Sequence, residues 1–326
     1  MTLTVQDFLQ LDVPAMLAAF LACACCALLG NFLVLRRQSL MGDAIAHAVL
    51  PGIILGFLLT GSRAVVPILA GALGAGIVAA VLIELVRRLG RVEPGAAMGV
   101  VFSIMFALGV VLMEQAAASA VDLDADCILY GQLEDILWLA PTGWSSLLDP
   151  TVWADMPREV VTLFVVTAFC AAMVAMFYKE LKITSFDPDL ATTLGISAKL
   201  FHYGLMTLVA AACVAAFEAV GSILVIAMLI VPASIARLLT DRLAVQIRLS
   251  ILAALAIGPG GYVLAAFGPF WIGGTDSLNA AGMMATLSGV LLVVTILIAP
   301  RYGMLARRRH ARRLWVQPAE EPEGSA

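Results

Sequence analysis

Charged residues are scarce in this sequence. Only 13% of its 326 residues are Asp, Glu, Lys or Arg, whereas 62% are hydrophobic, and the mean hydropathy is +1.01. Soluble domains carry about 25% charged residues. A water-facing fold could not cover so much apolar surface, whereas a helical bundle in a bilayer leaves that surface in contact with lipid. The composition therefore excludes a soluble globular protein and predicts an all-α, polytopic membrane helix bundle.

The chain also lacks the motifs of common catalytic and nucleotide-binding sites. It has no G-x-x-x-x-G-K-[ST] segment, so it has no P-loop with which to hydrolyse ATP, and it has no H-E-x-x-H zinc motif. Its three histidines, His47, His202 and His310, are too few for an all-histidine metal cage. We therefore expect a protein that is not an enzyme and that holds no permanently bound cofactor.

Cysteine is present but forms no recognisable framework. Five of the six cysteines lie in apolar runs, and Cys23, Cys25 and Cys26 are flanked only by Ala and Leu. Cysteine in apolar surroundings behaves as a small hydrophobic residue. We expect these thiols to pack in the core, and the pattern indicates no set of disulfides.

Nine apolar segments approach the length of about 20 residues that crosses a bilayer. No Lys or Arg precedes Arg36, so we interpret the first segment as a span and not as a cleavable signal peptide. Eight spans with one re-entrant segment is an alternative. The nine predicted segments are residues 14–35, 43–60, 64–86, 95–113, 158–178, 202–219, 221–240, 243–266 and 280–299.

The distribution of basic residues predicts the orientation of the chain in the membrane. In the nine-span arrangement, all of the 19 Lys and Arg residues except Arg63 and Arg158 lie on one side. The positive-inside rule assigns that side to the cytoplasm, with the N-terminus outside and the C-terminus inside. The largest outside loop, Glu114–Pro157, is acidic and is either simply solvated or draws cations toward the protein. Residues 304–326 read as a basic and then Pro- and Glu-rich cytoplasmic tail.

One pair of ionisable residues lies inside the second predicted span. Asp43 and His47 are four residues apart, so they share one face of a helix. A carboxylate oxygen and an imidazole nitrogen together suit a divalent transition metal. Ionisable residues within membrane spans are costly and usually mark a transport path. Because Asp43 follows Arg37 by only six residues, either residues 38–42 dip into the bilayer or the pair forms an inner site.

A short helix is expected in the loop between residues 179 and 199. Asp187 suits the N-cap, Pro188 the first helical position and Gly195 the C-terminal stop. The helix would lie outside the membrane on the cytoplasmic side. It is either a connector or a docking element for a partner protein.

Residues 34–52 (VLRRQSLMGDAIAHAVLPG) resemble the signature of the metal-ion ABC permeases, which are the membrane subunits of bacterial manganese, zinc and iron importers. The resemblance continues in order over the chain from about residue 30 to 303. The further matching segments are 99–109 (GVVFSIMFALG), 129–131 (LYG), 186–195 (FDPDLATTLG), 220–242 (VGSILVIAMLIVPASIARLLTDR) and 299–303 (APRYG).

The resemblance implies a permease domain over residues 1–303 in the bacterial inner membrane. It implies that Asp43 and His47 are ligands of a transported Mn²⁺, Zn²⁺ or Fe²⁺ ion. It also implies cytoplasmic ATP-binding subunits that hydrolyse ATP, an extracytoplasmic metal-binding protein, a second permease copy or paralogue, and no nucleic-acid partner. Residues 187–195 would be the coupling helix that fits the ATPase subunit, with contacts through Asp187, Pro188, Asp189, Ala191 and Gly195.

Glu218 departs from the family pattern, in which an uncharged polar residue commonly precedes the Val-Gly dipeptide. It could be a third metal ligand, a charge at the pore mouth or a solvated carboxylate. Two other functions stay open at this point. A siderophore- or cobalamin-type ABC permease would need a wide cavity and no paired metal ligands, and an ion-coupled secondary carrier would be expected to show inverted repeats.

Overall fold

The computed structural model describes residues 4–61, 65–118, 131, 133–271, 273–274, 277–299 and 303. Within these ranges the chain is a bundle of α-helices without β-strands, which confirms the predicted fold class. The predicted tail, residues 304–326, lies outside the described ranges. The helices of six residues or more are α1 (Val13–Leu35), α2 (Ser39–Ala48), α3 (Leu50–Thr60), α4 (Val65–Gly90), α5 (Pro94–Ala118), α6 (Arg158–Met176), α7 (Tyr178–Phe186), α8 (Pro188–Thr193), α9 (Ala198–Val220), α10 (Ser222–Leu239), α11 (Leu243–Trp271) and α12 (Ala280–Ile298).

Seven helices in the described ranges are long and apolar enough to cross a membrane, and two more predicted spans are shorter apolar helices. The short ones are α3 and the segment Leu224–Leu239 of α10. The predicted second span, residues 43–60, consists of two helices, because α2 ends at Ala48 and α3 begins at Leu50. Pro51 lacks a backbone N–H and cannot continue the hydrogen-bond ladder of α2, so the span breaks there.

Helix α1 forms the centre of the bundle. Every residue from Ala22 to Leu33 is buried, and α1 packs against α6, α9, α10 and α11. Seven of these twelve buried residues are Ala, Cys or Gly, which lets neighbouring backbones approach closely. Cys23, Cys25 and Cys26 are buried thiols, as the prediction of core packing required. In contrast, α12 leaves most of its apolar surface exposed, so the bundle is ordered from a dense centre to a lipid-facing rim.

The only polar residue buried within this part of α1 joins it to α11. The Asn31 amide donates to the Ser250 hydroxyl at 2.6 Å and accepts from the Gln246 amide at 3.0 Å. All three side chains are fully buried. Hydrogen bonds of this kind fix one rotational setting of two apolar helices, which nonspecific packing alone would leave open.

Basic residues from distant parts of the sequence meet on one side of the bundle. Arg36 and Arg37 at the end of α1, Arg87 and Arg88 at the end of α4, and Lys199 at the start of α9 line one cavity. We call this side the basic face. On the opposite face, the segment 133–157 packs back onto the bundle, where the fully buried Trp138 donates through Nε1 to the carbonyl of Val152 at 3.1 Å. The described part of the acidic loop is therefore folded against the helices.

Helices α3 and α4 cross in close contact at a pair of glycines, Gly52 and Gly71. A Cβ atom added at Gly71 would lie 2.2 Å from the carbonyl oxygen of Gly52, and a Cβ at Gly52 would meet the carbonyl of Gly71 at the same distance. Real Cβ atoms do not approach so closely. This contact holds α3 against α4, and hence fixes the half of the second span that follows the break.

Two glycines of α4 provide a matched pair of substitutions that tests this close crossing. Gly71→Ala should destabilise the protein by about 1–3 kcal/mol, because the methyl group meets backbone and not a movable side chain. Gly74→Ala, with open space around its Cβ position, should be neutral or slightly stabilising through helix propensity. The prediction is tested by comparing the midpoints of thermal unfolding of the two full-length variants in detergent. Equal midpoints would contradict the close crossing.

Candidate metal-binding site and coupling helix

Asp43 and His47 both lie on α2, one helical turn apart, as the sequence predicts. The helix follows a tight turn in which Arg37 adopts the left-handed conformation, with φ of +56°. The turn redirects the chain from the end of α1 back into the bundle. A rise of 1.5 Å per residue carries His47 about 13 Å beyond Gln38, which lines the cavity at the basic face. The side chain of Asp43 is outside the described part of the protein.

The depth of α2 distinguishes the two arrangements that the sequence leaves open. A Cβ atom at Gly76, near the middle of α4, would touch Ile45 of α2, Val49 just after α2 and Ala210 of α9. Gly42 is buried against Leu229, near the middle of α10. The chain after Arg37 therefore enters the bundle directly, and α2 carries His47 to about the centre of the neighbouring spans.

Aromatic rings from α5 surround one side of His47. Its imidazole is half-buried. The centroid of the imidazole lies 5.1 Å from the ring centroid of Phe102 and 5.6 Å from that of Phe106, and the Phe106 contact is edge to face. These contacts cover one side of the imidazole. The sequence analysis missed them, although Phe102 and Phe106 are also four residues apart and belong to the segment 99–109 singled out above. An imidazole held in an apolar setting is a suitable ligand for a divalent ion.

Glu218 belongs to a different level of the bundle. It is on α9, eight residues beyond Ala210, which is level with Ile45 near the end of α2. Eight residues of helix separate these levels by about 12 Å, toward the opposite face. The fold thus brings Asp43 and His47 onto one helical face and leaves the Glu218 backbone two turns away. The Glu218 side chain is not among the described ones. In the described part of the chain, no three His, Cys, Asp or Glu side chains converge on a metal position.

The predicted short helix is present as α8. The Asp187 carboxylate accepts a hydrogen bond from the backbone N–H of Leu190 at 2.9 Å, and Pro188 is the first helical residue. Gly195 ends the helix with φ of +80°, and the N–H of Ile196 reaches back to the carbonyl of Ala191 at 2.9 Å. The predicted N-cap and stop are thereby confirmed. Of the remaining predicted contact residues, Ala191 is fully buried against the bundle, whereas Asp189 is exposed.

An apolar stripe beside α8 was not predicted. Phe186, Leu190 and Leu194 are 53%, 50% and 60% exposed. The four-residue spacing of Leu190 and Leu194 within the predicted helix could have revealed part of this stripe in the sequence. It lies on a segment that is otherwise polar, at the basic face and outside the membrane-spanning helices. Exposed apolar patches with polar rims mark sites of protein contact.

Comparison with known proteins agrees with these features. The family model of the ABC 3 transport family matches residues 8–138 and 153–274. The zinc transport system membrane protein TroD of Treponema pallidum is 41% identical over 91% of this chain and 76% of its own length. The manganese transport system membrane protein MntD of Bacillus subtilis is 38% identical over 87% of this chain and 90% of its own length.

The fold has a similar solved counterpart. The structure of PsaBC from Streptococcus pneumoniae in complex with Fab superposes with a TM-score of 0.70 and 30% sequence identity, over 90% of this chain and 94% of that one. Both comparisons extend over most of the chain, and the residues matched by the family model include α2 and α8. The chain belongs to the ABC 3 transport family.

Proposed function

We propose that this chain is the membrane-spanning permease subunit of a bacterial ABC importer for a divalent transition metal, Mn²⁺, Zn²⁺ or Fe²⁺. The observation that supports the proposal is the course of α2, which takes the imidazole of His47 to about mid-depth in an apolar bundle, with Asp43 one helical turn earlier on the same helix. Relatives over nearly the whole chain bear the names of zinc and manganese transport proteins. Asp and His together suit all three metals, so selectivity depends on geometry and on the delivering protein.

The proposal includes partners on both sides of the membrane. The basic face is cytoplasmic, which puts the N-terminus outside and the C-terminus inside. Two ATP-binding subunits dock at α8 and supply the hydrolysis for which this chain has no P-loop. An extracytoplasmic metal-binding protein delivers the ion at the opposite face, and a second permease copy or a paralogue completes the pathway. In this arrangement Glu218 acts as a pore-mouth charge, because its backbone lies about 12 Å above the Asp43–His47 level.

A chain of contacts links the docking helix to the metal pair. Arg36 at the end of α1 donates to the hydroxyls of Thr184 and Ser185 on α7, both at 3.0 Å, and α8 follows α7 directly. The next residues after Arg36 form the turn into α2. Movement of α8 upon ATP binding would therefore reach α2 through one guanidinium and one short turn.

Elemental analysis of cells tests the proposed function. Deletion of this chain should lower the cellular content of one of Mn, Fe or Zn under starvation for that metal, and re-expression should restore it. A control strain lacking only the ATP-binding partner should show the same selective fall. Unchanged levels of all three metals under each starvation condition would contradict the proposal. They would favour a siderophore-type permease or an ion-coupled carrier.

A further inference from the structure

A cavity of about 400 Å³ opens at the basic face, between the ends of α1, α4 and α7 and the start of α9. The only carboxylate in its described wall is Glu84, which is ion-paired with Arg87 at 2.9 Å and with Arg88. The cavity therefore has a large excess of positive charge. Its basic side chains are Arg36, Arg37, Arg87, Arg88 and Lys199.

Arg36 is the deepest of these cations and has no acidic partner among the described residues. Its guanidinium donates only to the neutral hydroxyls of Thr184 and Ser185. Burial lowers the pKa of Arg36 to about 10. Because this value is still well above neutral pH, the side chain remains charged. A charge that is partly withdrawn from water without a counter-charge is unfavourable. A bound anion beside Arg36 would supply the counter-charge that no described residue provides.

The groups around the cavity fit a phosphate group. Guanidinium groups bind phosphate oxygens through paired hydrogen bonds, and Lys199 adds a further positive charge. Gln38 also lines the cavity, and its buried amide oxygen has no hydrogen-bond partner in the described part of the structure. Rotation of that amide would present N–H donors instead. The cavity also adjoins the N-terminal end of α9, where the helix dipole favours negative charge.

The position of the cavity favours a lipid as the source of the phosphate. On α4, next to Arg88, the side chains of Leu85 and Leu89 are 49% and 77% exposed. An acyl chain could follow this apolar edge while the headgroup occupies the cavity. Basic pockets between membrane helices on the cytoplasmic side bind anionic headgroups in this manner.

We propose that this cavity is a binding site for a phosphate group, supplied by the headgroup of an anionic phospholipid. The bound phosphate would contact Arg36 on α1, the end of α4 and Lys199 on α9 at once. It would thereby join three spans at the base of α7 and α8. The site is separate from the metal pair and does not depend on which ion the protein carries.

Lipid binding to the purified, delipidated full-length permease tests the site. Native mass spectrometry in a neutral detergent would compare phosphatidylglycerol, phosphatidylcholine and inorganic phosphate. We expect phosphatidylglycerol to bind at least about tenfold more tightly than phosphatidylcholine, and Arg36→Gln to weaken it by about tenfold, as expected for loss of a charge-assisted hydrogen bond. The matched control is Arg248→Gln, because Arg248 is exposed on α11 outside the cavity and should leave binding unchanged.

A second variant keeps the test independent of folding. Lys199→Gln leaves the hydrogen bonds of Arg36 to Thr184 and Ser185 intact and should still weaken the binding of phosphatidylglycerol by a few fold. Binding of inorganic phosphate with the same dependence on Arg36, and no preference between the lipids, would retain the phosphate site and overturn the lipid source. An equal loss in Arg248→Gln, or no binding of either anion, would overturn the proposal. If Arg36→Gln then released the ATP-binding subunit, the missing counter-charge would be an acidic residue of that partner.

Discussion

His47→Ala should reduce metal uptake to the level of cells that lack the chain, while the protein still inserts into the membrane. The imidazole is the described member of the proposed ligand pair, and it is fixed at about mid-depth by Phe102 and Phe106. Changing a residue that only orients a metal ligand costs about 10–100-fold. Removal of a ligand itself should cost at least about 100-fold in the rate of uptake. Accumulation of radioactive or isotopically enriched metal by intact cells measures it.

Arg248→Gln is the control here as well, because Arg248 is exposed on α11 and lies outside both α2 and the cavity at the basic face. It should transport at close to the wild-type rate. Loss of the ring contacts of His47 should lower stability by only about 0.5–1.5 kcal/mol, so membrane abundance should change little. Asp43→Asn should match His47→Ala. Wild-type uptake by both site variants would show that the pair does not bind the ion.

The double substitution Leu190→Asp and Leu194→Asp should abolish co-purification of the ATP-binding subunit, and uptake with it. Both side chains are at least half exposed, so the substitutions should leave the fold intact. Two carboxylates in an apolar contact would be desolvated without partners, which is strongly unfavourable. Affinity purification of the permease from cells that express the whole transporter, followed by quantification of the ATP-binding subunit, provides the measurement.

Leu148→Asp serves as the control, because Leu148 is 87% exposed on the opposite face. It should retain the ATP-binding subunit in full. Asp187→Ala should give an intermediate result, since loss of an N-cap costs about 1 kcal/mol and loosens α8 without changing its contact surface. His47→Ala should still retain the subunit, which separates the docking prediction from the metal-site prediction. Full recovery of the subunit by the double variant would contradict docking at α8.

The sequence was most informative where the determining interactions are local. The caps of α8 could be predicted because Asp187 contacts a backbone N–H only three residues away. The shared face of Asp43 and His47 follows from helical periodicity alone. The break after Ala48 is local as well, since Pro51 marks it in the sequence.

Contacts between helices were not predictable in the same way. The spans are apolar on every side, so their patterns do not indicate which face meets which neighbour. The Asn31–Gln246–Ser250 cluster joins residues more than two hundred positions apart. The packing of His47 against Phe102 and the depth of Glu218 relative to α2 depend equally on the three-dimensional arrangement. The proposed roles of Asp43, His47 and Glu218 therefore stay predictions until uptake is measured.

Because α1 is enclosed by other helices, insertions and deletions within it should be poorly tolerated. A one-residue insertion in α1 would rotate every later residue of that helix by about 100° and shift it by about 1.5 Å. Asn31 would then turn away from Gln246 and Ser250, and Gly30, whose added Cβ would collide with the carbonyl of Leu229, would be replaced at that contact by a larger residue. Insertions and deletions should therefore be confined to the loops and to rim helices such as α12, while the central helix keeps an invariant register.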